Sequence, residues 1–185
     1  MMEYTNRVTT IQNLEAQKIT LNMVLNQKEA ENIVRSFSPI KNLNDERIAE
    51  IPVSTVGKII KHKGYDVSRI INYIPALYET SLLGWSEPEV HQKGHKYHPN
   101  IKEYHHYINK FNDGIGEYFI RFTLSEEKAK KVKIGKNYIH STFISSVTIY
   151  KNGDGSQRIR ENSPGEASSP PFYDLRLINF FNSVK

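Results

Sequence analysis

His62 closes a lysine-rich stretch, residues 54–64 (STVGKIIKHKG), with Lys58, Lys61 and Lys63 within four positions of it. A histidine titrates near neutral pH and can give or take a proton, and neighbouring cations favour a phosphate. Cutting RNA without a metal needs such a set: a base for the ribose 2′-hydroxyl, an acid for the leaving 5′-oxygen, and cations or hydroxyls around the phosphate. His62 and His140 are the acid–base candidates. Arg121 can grip the phosphate with two hydrogen bonds, and Lys61 and Thr142 can stabilise it, with Lys58 and Ser141 in support. Each residue also has a plainer role. His62 can satisfy helix-end carbonyls, His140 can be an exposed strand residue, and Arg121 can pair with Glu103 or Glu117 across a hairpin.

A second set would hold RNA rather than cut it. Tyr104 and His106, in the run YHHY at 104–107, can stack unpaired bases, and Lys58, Lys63, Lys131 and Lys133 can meet the backbone. His91, His95 and His98 stand four and three apart, but Gly94 and Pro99 keep them off one helical face and no HExxH is present. No metal site and no cofactor is expected. There is no GxxxxGK[ST], GxGxxG or GxSxG motif.

The positioning elements follow from periodicity. Residues 27–37 place Ala30, Ile33 and Val34 at helical spacing. Ser54 can cap a helix from 55 to 61 that Gly64 stops, and Asp66 can cap the next, with Ile70, Ile71, Ile74 and Leu77 as its buried stripe and Pro75 splitting it. Strands are expected at 81–87, 103–111, 117–124 and 138–150, with a hairpin turn at Asn112, Asp113 and Gly114 and a helical turn opening the lysine-rich link 126–136. In 117–124, Tyr118, Ile120, Phe122 and Leu124 share one face, while Phe119, Arg121 and Thr123 share the other. In the last strand Phe143, Val147 and Ile149 should face one way and His140, Thr142, Ser146 and Thr148 the other. Residues 152–171 read as a loop, and 172–181 as a short C-terminal helix.

Helices before strands predict an α+β fold, N-terminal helices packed on a roughly four-stranded antiparallel sheet whose other face is open. The division is residues 1–45 as an arm with a short helix, 46–150 as the core domain, and 151–185 as a loop and closing helix. A chain of 185 residues can bury a core without staples, and it has no cysteine, which excludes disulfides and thiolate metal sites. No apolar run approaches the roughly 18 residues that span a bilayer, and the first 18 residues do not read as a signal peptide, so no membrane partner and a cytoplasmic location are expected. The net charge is +5, with a local excess at 53–73 and at 126–136, which suits a polyanion partner.

Several segments resemble the barnase–EndoU–colicin E5/D–RelE-like nucleases of phages and mobile elements: residues 54–64, then IPAL at 74–77 with WSEP at 85–88, then EYFIRFT at 117–123, then IHSTFISSV at 139–147. The resemblance covers roughly residues 47–150. It implies helices followed by a four-stranded antiparallel sheet, and metal-independent ribonuclease activity. It assigns the family roles to His62, Lys58 or Lys61, Arg121, and His140 or Thr142. Lys63 between His62 and Gly64, and the long loop at 89–100, depart from the pattern. The function expected is therefore a ribonuclease-like domain that acts by 2′-hydroxyl attack. RNA is its partner, and a neutralising immunity or antitoxin protein is a second. The alternatives are an inactive nucleic-acid-binding module and a virion-associated or protein-interaction accessory protein.

Overall fold

Short helices come first along the chain and long strands after them, giving the expected α+β architecture. The computed structural model describes residues 10–151 apart from 12, 62–63, 92–93, 95, 129, 132–137 and 140; at 130–131 and 138–139 it describes the backbone. The loop and closing helix expected beyond 151 lie outside those residues. Among the described residues no helix is long and apolar enough to cross a membrane.

The helical layer starts at α1 (Gln27–Arg35), where Asn26 accepts from the Glu29 amide and Glu29 returns a bond to the Asn26 amide. This reciprocal cap satisfies two orphan donors. Ala30 and Val34 face the core. A 3₁₀ turn, Val53–Thr55, leads into α2 (Val56–Ile60). The expected Ser54 cap is absent: Thr55 instead bonds back to the Pro52 carbonyl through its amide and hydroxyl, because the chain enters through a 3₁₀ turn that starts earlier. Asp66 does cap its segment, accepting from the Ser68 amide, and Pro75 sits where 3₁₀ Val67–Tyr73 gives way to α3 (Ile74–Glu79). Ile70, Ile71, Ile74 and Leu77 are all fully buried.

Beneath this layer lies a five-stranded sheet. β4 (Leu82–Pro88), β5 (Ile101–Asn112), β6 (Glu117–Glu127) and β9 (Thr142–Lys151) run antiparallel in that order. β1 (Gln17–Lys18) adds a fifth, parallel to the end of β5. The Asp113 side chain organises the β5–β6 turn by accepting from the Ile115 and Gly116 amides, and Gly114 takes the left-handed φ of 85° that glycine tolerates. A small hairpin of β2 (Ile40–Lys41) and β3 (Ile48–Ala49) packs beside α3 and reaches β9 through a bridge from Glu50 to Phe143. The lysine-rich link contains no helical turn at its start: β6 runs to Glu127, and β7 (Lys130–Lys131) then pairs with β8 (Tyr138–Ile139).

Tyr118, Ile120, Phe122 and Leu124 face the helices as the alternation requires, joined by Tyr107, Phe111, Ile144, Val147 and Ile149. In β9 the expected phase fails at Phe143. A bulge between Thr123 and Leu124 in the β6–β9 register makes Ser145 an extra residue, so Ile144 rather than Phe143 takes the core position. The opposite face carries a smaller cluster of Trp85, Ile108 and Phe119, over which Ile11 and Leu14 pack.

Candidate active site

The alternation that buries Phe122 and Leu124 continues for one more step, and the next residue on the core face is Glu126. On β5 the same face runs Glu103, His105, Tyr107, Asn109 and Phe111. Two charged residues and a histidine therefore meet at one end of the helix-covered face. Bulges aim their neighbours at them. Gly84 is the extra residue between Leu83 and Trp85, and it places Ser86 opposite His105. A Cβ at Gly84 would come within 3.2 Å of Ile108 and 3.3 Å of the His106 carbonyl, a tight approach that glycine avoids. Lys102 is the extra residue between Ile101 and Glu103, and its ammonium reaches Glu126 Oε1 at 2.9 Å.

His105 is 2% exposed and is held from both sides. Its Nε2 lies 2.6 Å from Glu126 Oε2, and its Nδ1 lies 2.7 Å from Ser86 Oγ. Arg47 Nη1 is 2.8 Å from the same Nε2 and 3.1 Å from Glu126 Oε2. In the tautomer protonated at Nε2, that nitrogen donates to Glu126 Oε2 and Nδ1 accepts from Ser86, while Arg47 donates to Oε2. Glu103 Oε2 lies 3.9 Å from Nε2 at the rim. The rim is open to solvent, the Arg47 side chain being 28% exposed and that of Lys102 53%.

Arg47 arrives on the turn between β2 and β3, which side chains build. The buried Asn42 donates to the Tyr78 and Ser81 carbonyls, while its oxygen accepts from the Asn44 and Asp45 amides. Asp45 accepts from the Arg47 amide and from the Tyr107 hydroxyl, and Tyr107 in turn accepts from Arg47 Nε at 2.9 Å. Glu46 adopts a left-handed φ of 63°, uncommon for a residue with a side chain, which closes the turn.

Burial alone would raise the Glu126 carboxyl, but bonds from Lys102 and His105 outweigh it and pull it down to about 2. Glu126 is therefore a carboxylate at any ordinary pH. Burial and the bond to Asp45 push the Tyr107 hydroxyl far above its usual range. Glu103, His105 and Glu126 each place a ligating atom within 4.8 Å of the others, the arrangement a divalent ion could use. Both Glu126 oxygens already receive cationic donors, however, so an ion would have to displace Lys102 and Arg47.

The residues singled out from sequence are not gathered here. His62, Lys63, Lys133 and His140 lie outside the described residues, and Lys131 is described in backbone alone. Lys58 and Lys61 are exposed on α2 and just after it. Thr142 pairs with Glu126 across β6 and β9 and shares its face. Arg121 lies on the opposite face, where Nη2 reaches Thr148 at 3.3 Å. His106 is also on that face, held by Glu87 at 2.8 Å and Thr123 at 3.2 Å and stacked on Trp85 at 4.5 Å. Tyr104 is half-buried there, its hydroxyl raised to about 12 by burial and by Glu89. In the histidine loop, His91 stacks on Tyr97 at 4.4 Å. Arg47, Ser86, Lys102, His105 and Glu126 carry no sequence motif. The one signal is polar character persisting on the core phase of β5 and β6 at His105 and Glu126, and it does not extend to Arg47, Ser86 or Lys102.

The profile of the large polyvalent protein-associated domain 3 matches residues 22–143, well over half of the 185-residue chain. The chain belongs to this family. It is a phage- and mobile-element-associated domain, the coarse part of what the nuclease resemblance implied. Comparisons with curated proteins and with solved structures give no match. The span of the polyvalent protein-associated domain takes in α1, Arg47, Ser86, Lys102, His105 and Glu126, so the whole His105–Glu126 cluster is built within it.

Proposed function

We propose that this polyvalent protein-associated domain is a metal-independent ribonuclease whose acid–base residue is His105. The observation that carries the reading is His105 bonded between Glu126 at 2.6 Å and Ser86 at 2.7 Å, beside two partly exposed cations. Glu126 fixes the ring and stabilises it when it gains a proton. Arg47 and Lys102 bring positive charge to the rim, where a phosphate gains charge during 2′-hydroxyl attack. Ser86, on the far ring nitrogen, passes a proton between His105 and the substrate. The reaction balances: the 2′-oxygen bonds phosphorus as its proton leaves, the 5′-oxygen departs taking a proton, and a 2′,3′-cyclic phosphate remains. His105 thus takes the acid–base role for which the sequence offered His62 and His140.

The test is end-labelled RNA in excess EDTA with wild type and His105→Gln. Cyclic-phosphate ends that form in EDTA and vanish in the variant support the reading, and intact RNA throughout sinks it. A second reading draws on the near-complete burial of His105 with both ring nitrogens engaged. Such a cluster can hold the sheet end together in a module that binds RNA without cutting it. Salt-dependent filter binding of uncut RNA would select that reading.

A further inference from the structure

The outward face of the sheet holds an unanswered set of hydrogen-bond donors. Arg121 is 9% exposed, and among the described residues only its Nη2 has an acceptor, Thr148. Its Nε and Nη1 are buried without one. Trp85, 7% exposed, has its indole Nε1 in the same condition. A buried donor without an acceptor destabilises the fold, and more so when charged, so folds seldom keep three on one face. The carboxylates there are engaged elsewhere: Glu87 holds His106 at 2.8 Å, and Glu117 lies 3.6 Å from the Lys110 ammonium. Tyr150 offers Arg121 its ring, 5.8 Å from the guanidinium carbon, which steadies the cation but accepts none of its in-plane protons.

We propose that this face holds an oxyanion-binding site whose charged donor is Arg121, with Trp85 on the same face as its reporter. The missing partner must be rich in acceptors and negatively charged, which describes a phosphate or a carboxylate. The site is separate from the acid–base cluster, because Arg121 and His105 point to opposite faces of the sheet. It stands on the orphaned donors alone and survives the loss of the ribonuclease reading.

Trp85 is the single tryptophan of the chain, so its emission reports on this face. The full chain is titrated with inorganic phosphate, and separately with acetate, while potassium chloride holds the ionic strength constant. The expected result is a saturable change in emission that weakens at least tenfold in Arg121→Lys and disappears in Arg121→Gln. A response to acetate alone assigns the site to carboxylates. A response that chloride reproduces, or that Arg121→Gln retains, overturns the site. Should Arg121→Gln fail to fold, the Arg121 Nε–H resonance of the wild-type chain decides: it moves on phosphate or acetate addition if the site exists, and an unmoved resonance overturns it.

Discussion

His105 and His106 are neighbours on one strand, both nearly buried and both bonded to a glutamate, yet they face opposite environments. His105 looks into the helix-covered side, where two cations, two carboxylates and a serine meet at a rim open to solvent. His106 looks outward into a close stack with Trp85, with Thr123 on one nitrogen and Glu87 on the other. Burial lowers the His106 pKa from its usual value, against the bond to Glu87, which raises it, and with help from the charge of Arg121. Neither histidine identity nor a carboxylate partner separates the two. What separates them is whether exposed cations stand beside the ring, where a phosphate could be received.

The largest effect that tests this contrast is on cleavage. His105→Gln should reduce RNA cleavage in EDTA by roughly a hundredfold or more, the usual worth of a general acid–base group. His106→Gln should change it by less than about threefold, and equal losses would erase the distinction. Stability comes next. Glu126→Gln leaves the donors of Lys102, Arg47 and the buried His105 facing a neutral amide, and should cost about 3 kcal/mol in urea unfolding. Glu87→Gln, which answers one histidine, should cost about 1 kcal/mol.

The two faces should also separate on an acid titration of stability. The Glu126 carboxyl is depressed from 4.5 to about 2, so its contribution is full above about pH 5 and is lost as pH falls toward 2. His106 is depressed as well, and for a base this means the unfolded chain takes its proton first. Stability therefore begins to fall as pH drops through the ordinary histidine range. Glu126→Gln should flatten the limb below pH 5 and leave the upper one, while His106→Gln should do the reverse. A single shared limb would show the two sites to be coupled. The smallest effect belongs to Lys61→Ala, which should leave unfolding within about 0.5 kcal/mol, since the side chain is exposed.

Much of the fold was legible because periodicity records which side of an element is buried. Ile70, Ile71, Ile74 and Leu77 on one stripe, and Tyr118 to Leu124 on alternate positions, needed no knowledge of the partners they meet. The site was less legible for the same reason. Extending the β6 alternation by two residues reaches Glu126, but a glutamate on a core phase gains meaning only when Lys102, Arg47 and His105 converge on it from other elements. Bulges hide the rest. Gly84, Lys102 and Ser145 each insert one residue, and each reverses the inside–outside phase that a reader of alternation carries forward. Ser86 and Ile144 reach the helix-facing side only through those reversals.

The clamp at Asn42 also fixes how the site can open. One carboxamide and the Leu43 amide fasten the Arg47 turn to the last carbonyls around α3, at Tyr78, Glu79 and Ser81. The arginine therefore has no hinge of its own. Any opening that withdraws Arg47 from Glu126 must carry the end of α3 with it, and that end is anchored by Tyr78, whose ring lies fully buried against Tyr107 and Phe122. Asn42→Ala, at a cost of about 2 kcal/mol, would uncouple the two. Amide exchange at Leu43 would then run ahead of exchange in α3, whereas in the intact chain the turn and the helix end share one opening event.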